Sequence, residues 1–269
     1  MSETISNIVT ASVRRFDFLL QTHCRVAQPL FIEDSTATPG VRVDTSEDWH
    51  QIRQQQVASS GAGADRYNSD EDYRRYLSWV REGKLLSVES LLRVFDFGQF
   101  KRPIELGCGD MPQAYTISAR FPTIDYTATD FDPHVIERCA RLPILNGIRK
   151  LVFDVRRDDL DALKNYDLVV SWSLEFSLDN GQLTKLFTAC RKHSVPYLLC
   201  SHATIGPLGY LYWARVAKIQ QQRVEENRLR LFGWLRSVAE LTRLAKHAGM
   251  SLKWKSYCVN HAALLFFPS

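Results

Sequence analysis

No apolar run in the 269 residues approaches the ~20 needed to span a bilayer, and the N-terminus lacks a cleavable leader pattern. Charge of one sign is nowhere massed. The 34 Lys and Arg stand against 30 Asp and Glu, spread along the chain, for a net charge of +4, which gives no reason to expect a nucleic-acid partner. The six cysteines, Cys24, Cys108, Cys139, Cys190, Cys200 and Cys258, form no Cys-x-x-Cys pair and no Cys/His spacing suited to zinc. No metal site is therefore expected, and the thiols are expected to be reduced. These absences point to a cytoplasmic protein without a transmembrane segment. No internal repeat or low-complexity segment is visible either.

What is present is core material and a strand-turn pattern. Hydrophobic residues make up 45% of the chain, enough for one large α/β domain or a domain with a helical extension. The stretch from Arg102 to Asp110 reads as a buried strand running into a glycine-rich turn. Gly107 and Gly109 flank one small residue, Cys108, so the backbone can turn tightly and approach a ligand with no Cβ in the way. A dinucleotide loop would want a third glycine at position 112 and a helix N-terminus with free N–H donors. Position 112 is Pro112, which removes a donor, and Asp110, a good N-cap residue, adds negative charge. A cationic ligand suits this turn better than a pyrophosphate.

From Arg102 onward strands and helices alternate. Strands are predicted at Ile104, Tyr126 to Thr129, Lys150 to Phe153, Leu168 to Ser171 and Tyr197 to Cys200. Helices are predicted at Gln113 to Arg120, Pro133 to Arg141, Leu183 to His193 and Ser237 to His247. Such alternation means a parallel sheet. Ser251 to Val259 and Ala262 to Phe267, joined at Asn260-His261, read as an antiparallel hairpin. Ahead of the sheet lie a helix from Ile5 to Leu20, a loop from Gln28 to Ser46 and a flexible joint at 59–64. Ser69 with Asp72 then opens a helix to about Glu82, followed by a second from Leu85 to Phe95. Thr204 to Phe232 is an insertion carrying Tyr210, Tyr212 and Trp213, with a polar, solvated face from Lys218 to Arg230.

The segments IELGCGD (104–110), TATDFD (127–132), VFDV (152–155) and DLVVSW (167–172), each on a strand-like run, resemble the class I S-adenosylmethionine-dependent methyltransferases. The resemblance covers roughly 101 to 269. It implies an α/β fold: a mostly parallel seven-stranded sheet with helices on both faces, a C-terminal antiparallel hairpin and an N-terminal helical extension. The chain would divide into an extension and cap, 1–100, and a methyltransferase domain, 101–269, with 204–236 as an insertion over the acceptor. S-adenosyl-L-methionine is the implied cofactor. The implied activity is O- or N-methylation of a small molecule or glycan precursor.

The resemblance also assigns roles. Asp130, about 20 residues past the glycine turn, would accept the ribose hydroxyls, and Phe131 would pack on the adenine. Asp154 would take the adenine amino group and the Val155 N–H a ring nitrogen. Glu105 would brace the Gly107-Cys108-Gly109 turn or touch the ligand, Asp110 would meet the ammonium, and Ser171 and Trp172 would face the transferring methyl. Met111 stands where the family often has a third glycine, and Glu175 is followed by Phe176 where many small-molecule members have Glu-His. With that base missing, His202 is the first candidate, ahead of Glu175 and His134. His193, His247 and His261 receive no chemistry. Two rivals remain at this point: a protein of the same fold that binds the cofactor without transfer, and a nicotinamide-dependent oxidoreductase.

Overall fold

In a computed structural model of the chain, residues 16–33, 67–202, 204–207, 229–259 and 261–269 are described. The first strand, β1 (Ala27–Glu33), pairs antiparallel with β7 (Leu229–Arg236) in a separate two-stranded ribbon. The main sheet holds β2 (Pro103–Leu106), β3 (Thr127–Asp130), β4 (Arg149–Val152), β5 (Leu168–Trp172) and β6 (Tyr197–Ser201), all parallel. It closes with the hairpin β8 (Met250–Cys258) and β9 (His261–Pro268), β9 lying antiparallel to β6. The seven strands stand in the order β4-β3-β2-β5-β6-β9-β8. The order reverses between β2 and β5, and a crevice opens at such a point beyond the strands' carboxyl ends.

Period-two alternation divides the sheet between two cores. Leu168, Val170, Trp172, Leu198, Cys200, Ala263 and Leu265 face one side, where α1 (Asp70–Trp79), α2 (Leu86–Leu91), α3 (Pro112–Arg120) and α4 (Pro133–Ala140) pack. Ile104, Leu106, Val169, Tyr197, Leu199, Leu264 and Phe266 face the other, against α5 (Asn180–Lys192) and α6 (Val238–His247). Tyr73 and Tyr76 of α1 belong to the first core, as packing residues. Caps set several of these helices. Ser69 Oγ accepts the Asp72 N–H at the start of α1, and Asp179 with Gln182 forms a reciprocal capping box on α5. Between α1 and α2 the chain makes a π-helical turn over Arg81–Leu85, where the sequence predicts only a break between helices. Among the described residues no helix is long and apolar enough to cross a membrane.

The ribbon corrects two expectations. Residues 27–33 are strand where the sequence predicts loop from Gln28, and Leu229–Arg236 is strand where it predicts the tail of a polar insertion. Pro29 inside the first segment masks its strand character, and the pairing partners lie some two hundred residues apart in the chain. Tyr210, Tyr212 and Trp213 lie outside the described residues. The ribbon sits on the turn that follows β5. A Cβ on Gly233 would come within 2.3 Å of the Phe176 ring, so the absent side chain is what lets the strand approach.

Arg236 fixes this junction. It is 1% exposed, and its Nε donates to Asn180 Oδ1 at 2.9 Å, while its terminal nitrogens donate to the carbonyls of Glu175 and Leu178. Burial lowers its pKa to about 10, which leaves it charged, with the nearby Glu175 acting in the opposite sense. Removing a buried guanidinium orphans three acceptors. Arg236→Met is expected to lose ~3–5 kcal/mol in urea unfolding; a loss within experimental error would show that the junction is held by other contacts.

Candidate functional site

A cavity of about 1070 Å³ opens at the carboxyl ends of the parallel strands. Its first half is built on the turn after β2. Gly107 (φ +70°) and Gly109 (φ +52°) take the left-handed conformation that glycine enters without a Cβ penalty. The Gly109 N–H donates to Asp130 Oδ2 at 2.9 Å and the Asp132 N–H to Asp130 Oδ1 at 3.1 Å. The Cys108 N–H donates to the Thr129 carbonyl at 2.8 Å. One carboxylate at the end of β3 thereby holds the loop after β2 and its own following turn. Phe131, Phe153, Asp154, Val155 and Arg156 continue this wall. Arg156 pairs with Asp154 (Nε to Oδ1 3.1 Å) and lies over the Phe131 ring at 5.5 Å.

Beneath the turn, outside the cavity lining, is Glu105. It is fully buried, accepts the Tyr126 hydroxyl on Oε2 at 2.9 Å, and its Oε1 has no partner. Burial pushes its pKa up to about 8, against the opposing effect of the Tyr126 bond. Asp110 also lies off the cavity. Its carboxylate pairs with Arg138 of α4, and its carbonyl accepts the Tyr73 hydroxyl at 2.8 Å. Nor does Asp110 cap α3, as the sequence predicts. The cap position is Met111, in a left-handed conformation (φ 60°), with Pro112 opening the helix. Asp110 ties α1 and α4 to the loop and does not line the cavity.

The second half is built after β5 and β6. Ser173 (φ 62°) turns the chain at once, and its hydroxyl both meets His202 Nδ1 and accepts the His202 backbone N–H at 3.1 Å. His202 is open to the cavity on one side. Its walls still lower its pKa, burial contributing most and the Lys84 ammonium next. Trp172, Leu174, Phe176, Leu235 and Tyr257 supply apolar surface.

Three further expectations are corrected here. Ser171 faces the opposite side of the sheet from Trp172 and hydrogen-bonds the Tyr197 hydroxyl at 2.7 Å in the second core, because adjacent residues of a strand point oppositely. Glu175 is buried behind the turn, and burial raises its pKa to about 7, held back by nearby Ser201 and Arg236, though neither oxygen reaches hydrogen-bond geometry. His134 sits exposed at the start of α4, its N–H bonded to the Asp132 cap, away from the cavity.

The lining therefore gathers Gly107, Cys108, Gly109, Asp130, Phe131, Asp154, Val155, Trp172 and His202. Sequence reasoning missed Lys84 and His261, which also line it. His261 had a signal. An antiparallel strand beside β6 begins where the parallel strands end, which places its first residue at the crevice. Lys84 comes from the π-helical turn, for which no sequence pattern exists.

Sequence comparison finds no matching family model and no matching curated protein. Structural comparison decides the fold. Human N-acetylserotonin methyltransferase, in complex with S-adenosylmethionine, superposes with a TM-score of 0.56 at 17% identity over 82% of this chain and 66% of that one. The chain has the class I S-adenosylmethionine-dependent methyltransferase fold. An O-methyltransferase from neocarzinostatin biosynthesis, bound to S-adenosylmethionine and 2-hydroxy-5-methyl naphthoic acid, gives 0.55 at 12% over 82% and 61%. N,N-8-amino-8-demethyl-D-riboflavin dimethyltransferase from Streptomyces davawensis gives 0.53 at 16% over 81% and 64%. The chain thus spans about two thirds of the length of these methyltransferases.

Glu105 makes the base of this methyltransferase-fold turn sensitive to pH. Its carboxyl has an ordinary value of 4.5 and a folded value of about 8. As pH rises between these values the unfolded chain ionises while the folded chain keeps its proton, so stability falls. Glu105→Gln removes that loss. Urea unfolding at about pH 5 and about pH 8 should show a smaller decline for the variant than for the parent; equal declines would mean that Glu105 ionises normally.

Proposed function

We propose that the chain is an S-adenosyl-L-methionine-dependent methyltransferase acting on a small molecule. The observation that carries this reading is one continuous cavity leading from the Asp130-held glycine turn to His202. The residues fit the cofactor. Asp130 would accept the ribose hydroxyls, and Phe131, Asp154 and Val155 line the wall that would meet the adenine. The glycines let the backbone approach the methionine portion. A dinucleotide fits less well, since α3 begins at Pro112 without that N–H and without a side-chain cap. Small-molecule acceptors are supported by the size and largely apolar lining of the cavity, and by the fold neighbours named for a naphthoic acid and a riboflavin derivative.

The cofactor, when bound, supplies an electrophilic methyl on a sulfonium. The chain's own contribution is alignment of the acceptor and removal of its proton. His202 is placed for that proton. With the ring proton on Nδ1, donated to Ser173 Oγ, Nε2 keeps its lone pair for the acceptor hydroxyl. The lowered pKa keeps the ring neutral, and hence able to accept, at physiological pH. Ser173 holds the ring from both its Nδ1 and its backbone N–H.

Labelled S-adenosyl-L-methionine incubated with a panel of phenols and amines tests the activity. His202→Gln should lower kcat by ~10²–10⁴ while leaving cofactor affinity unchanged. In the parent, activity should rise with pH along a limb lying below 6.5 and then level off, since the base works only when unprotonated. No transfer to any acceptor, with the cofactor bound, would favour a protein that binds without catalysis. Full activity in His202→Gln would remove the assigned base.

A further inference from the structure

The corner of the cavity beside His202 holds three side chains that proton removal does not use. Trp172 is 8% exposed and its Nε1–H has no hydrogen-bond partner. His261 is 3% exposed and its Nδ1 has none either. The two rings meet edge-on at 5.7 Å, and the His202 and His261 rings at 5.4 Å. Lys84 lines the same cavity from the π-helical turn, an element often found at functional sites. Its ammonium acts on both imidazoles. Two buried polar nitrogens without partners are costly in a folded chain. Both residues line the cavity, as Lys84 does.

The chemistry of the three groups selects their ligand. An indole N–H only donates, an ammonium only donates, and a neutral imidazole offers one donor and one acceptor. Burial, the neighbouring His202 and Lys84 hold the His261 pKa down to about 3, so this ring stays uncharged rather than serving as a base. Asp17 is the carboxylate lining this half among the described residues, and its Oδ2 accepts the Gly206 N–H at 2.9 Å. Glu175 lies behind the turn and off the lining. The corner is therefore rich in donors and biased to positive potential. Donors gathered around a cation suit an oxyanion.

We propose that Lys84, Trp172 and His261 form a binding corner for an anionic oxygen, a carboxylate or phenolate, carried by a planar small molecule. That this molecule is the methyl acceptor rests on the methyltransferase reading; the anion site does not. The assignment also separates acceptor classes by charge. A phenolate that takes a methyl from a sulfonium becomes a neutral ether and the sulfonium a neutral thioether. An amine would instead acquire the positive charge close to Lys84.

Benzoate, its neutral isostere benzamide, and 4-nitrophenol test the corner. Benzoate should bind the parent at least ~10-fold more tightly than benzamide. Lys84→Gln and His261→Phe, which keeps a ring against Trp172, should each weaken benzoate about 10-fold and leave benzamide nearly unchanged. At a pH where 4-nitrophenol is mostly neutral in water, adding protein should raise its phenolate band, and Lys84→Gln should abolish the rise. A benzoate preference without the band assigns the carboxylate as the source; the band without the preference assigns the phenolate. Equal binding of benzoate and benzamide together with no phenolate band would overturn the proposal. Lys84 is exposed, so its variant should keep the parent's circular dichroism. Titration of S-adenosylhomocysteine keeps the two readings apart: a parent that binds benzoate selectively but not S-adenosylhomocysteine would retain the anion corner and lose the cofactor.

Discussion

Both oxygens of the Asp130 carboxylate accept backbone N–H groups, one from the turn after β2 and one from the turn after β3. The geometry of the cavity follows from that pair of hydrogen bonds. Two neighbouring parallel strands, β2 and β3, end in loops that would otherwise be independent, and a single buried acid ties them together. The left-handed glycines then need only bend around a fixed point. A carboxylate that clamps two loops at the cavity wall also shapes the cleft.

The two halves of the cavity differ in electrostatics. The half near β3 and β4 carries Asp130, and Asp154 paired with Arg156. The half near β5, β6 and β9 carries a cation and neutral imidazoles. Buried acids that take no part in ligand contact are handled separately. Glu105 is held with a raised pKa under the turn, and Glu175 lies behind the Ser173 bend near Arg236. The segment after β5 thus presents a serine and apolar side chains to the cleft, with its acid turned into the protein.

Much of the frame is local and periodic, which is why it can be read from the residues alone. Alternating strands and helices, the glycine turn and Asp130 each depend on short spacing. The roles that went astray depend on direction or distance. Ser171 and Trp172 are consecutive on one strand and cannot both face the cleft. Glu175 is carried away by the left-handed Ser173. Asp110 finds Arg138 twenty-eight residues on, a partner that no local motif specifies. The β1–β7 ribbon is assembled across some two hundred residues. Lys84 reaches the cavity through one π-helical turn, and His261 through the antiparallel sense of β9.

Isothermal titration of the purified chain with S-adenosylmethionine, S-adenosylhomocysteine and reduced nicotinamide dinucleotide, run side by side, tests the cavity's assignment most directly. Saturable binding of both sulfur compounds, with no heat from the nicotinamide and strong loss in Asp130→Ala at unchanged circular dichroism, is the expected result. Binding of the nicotinamide cofactor in place of the sulfur compounds would contradict it.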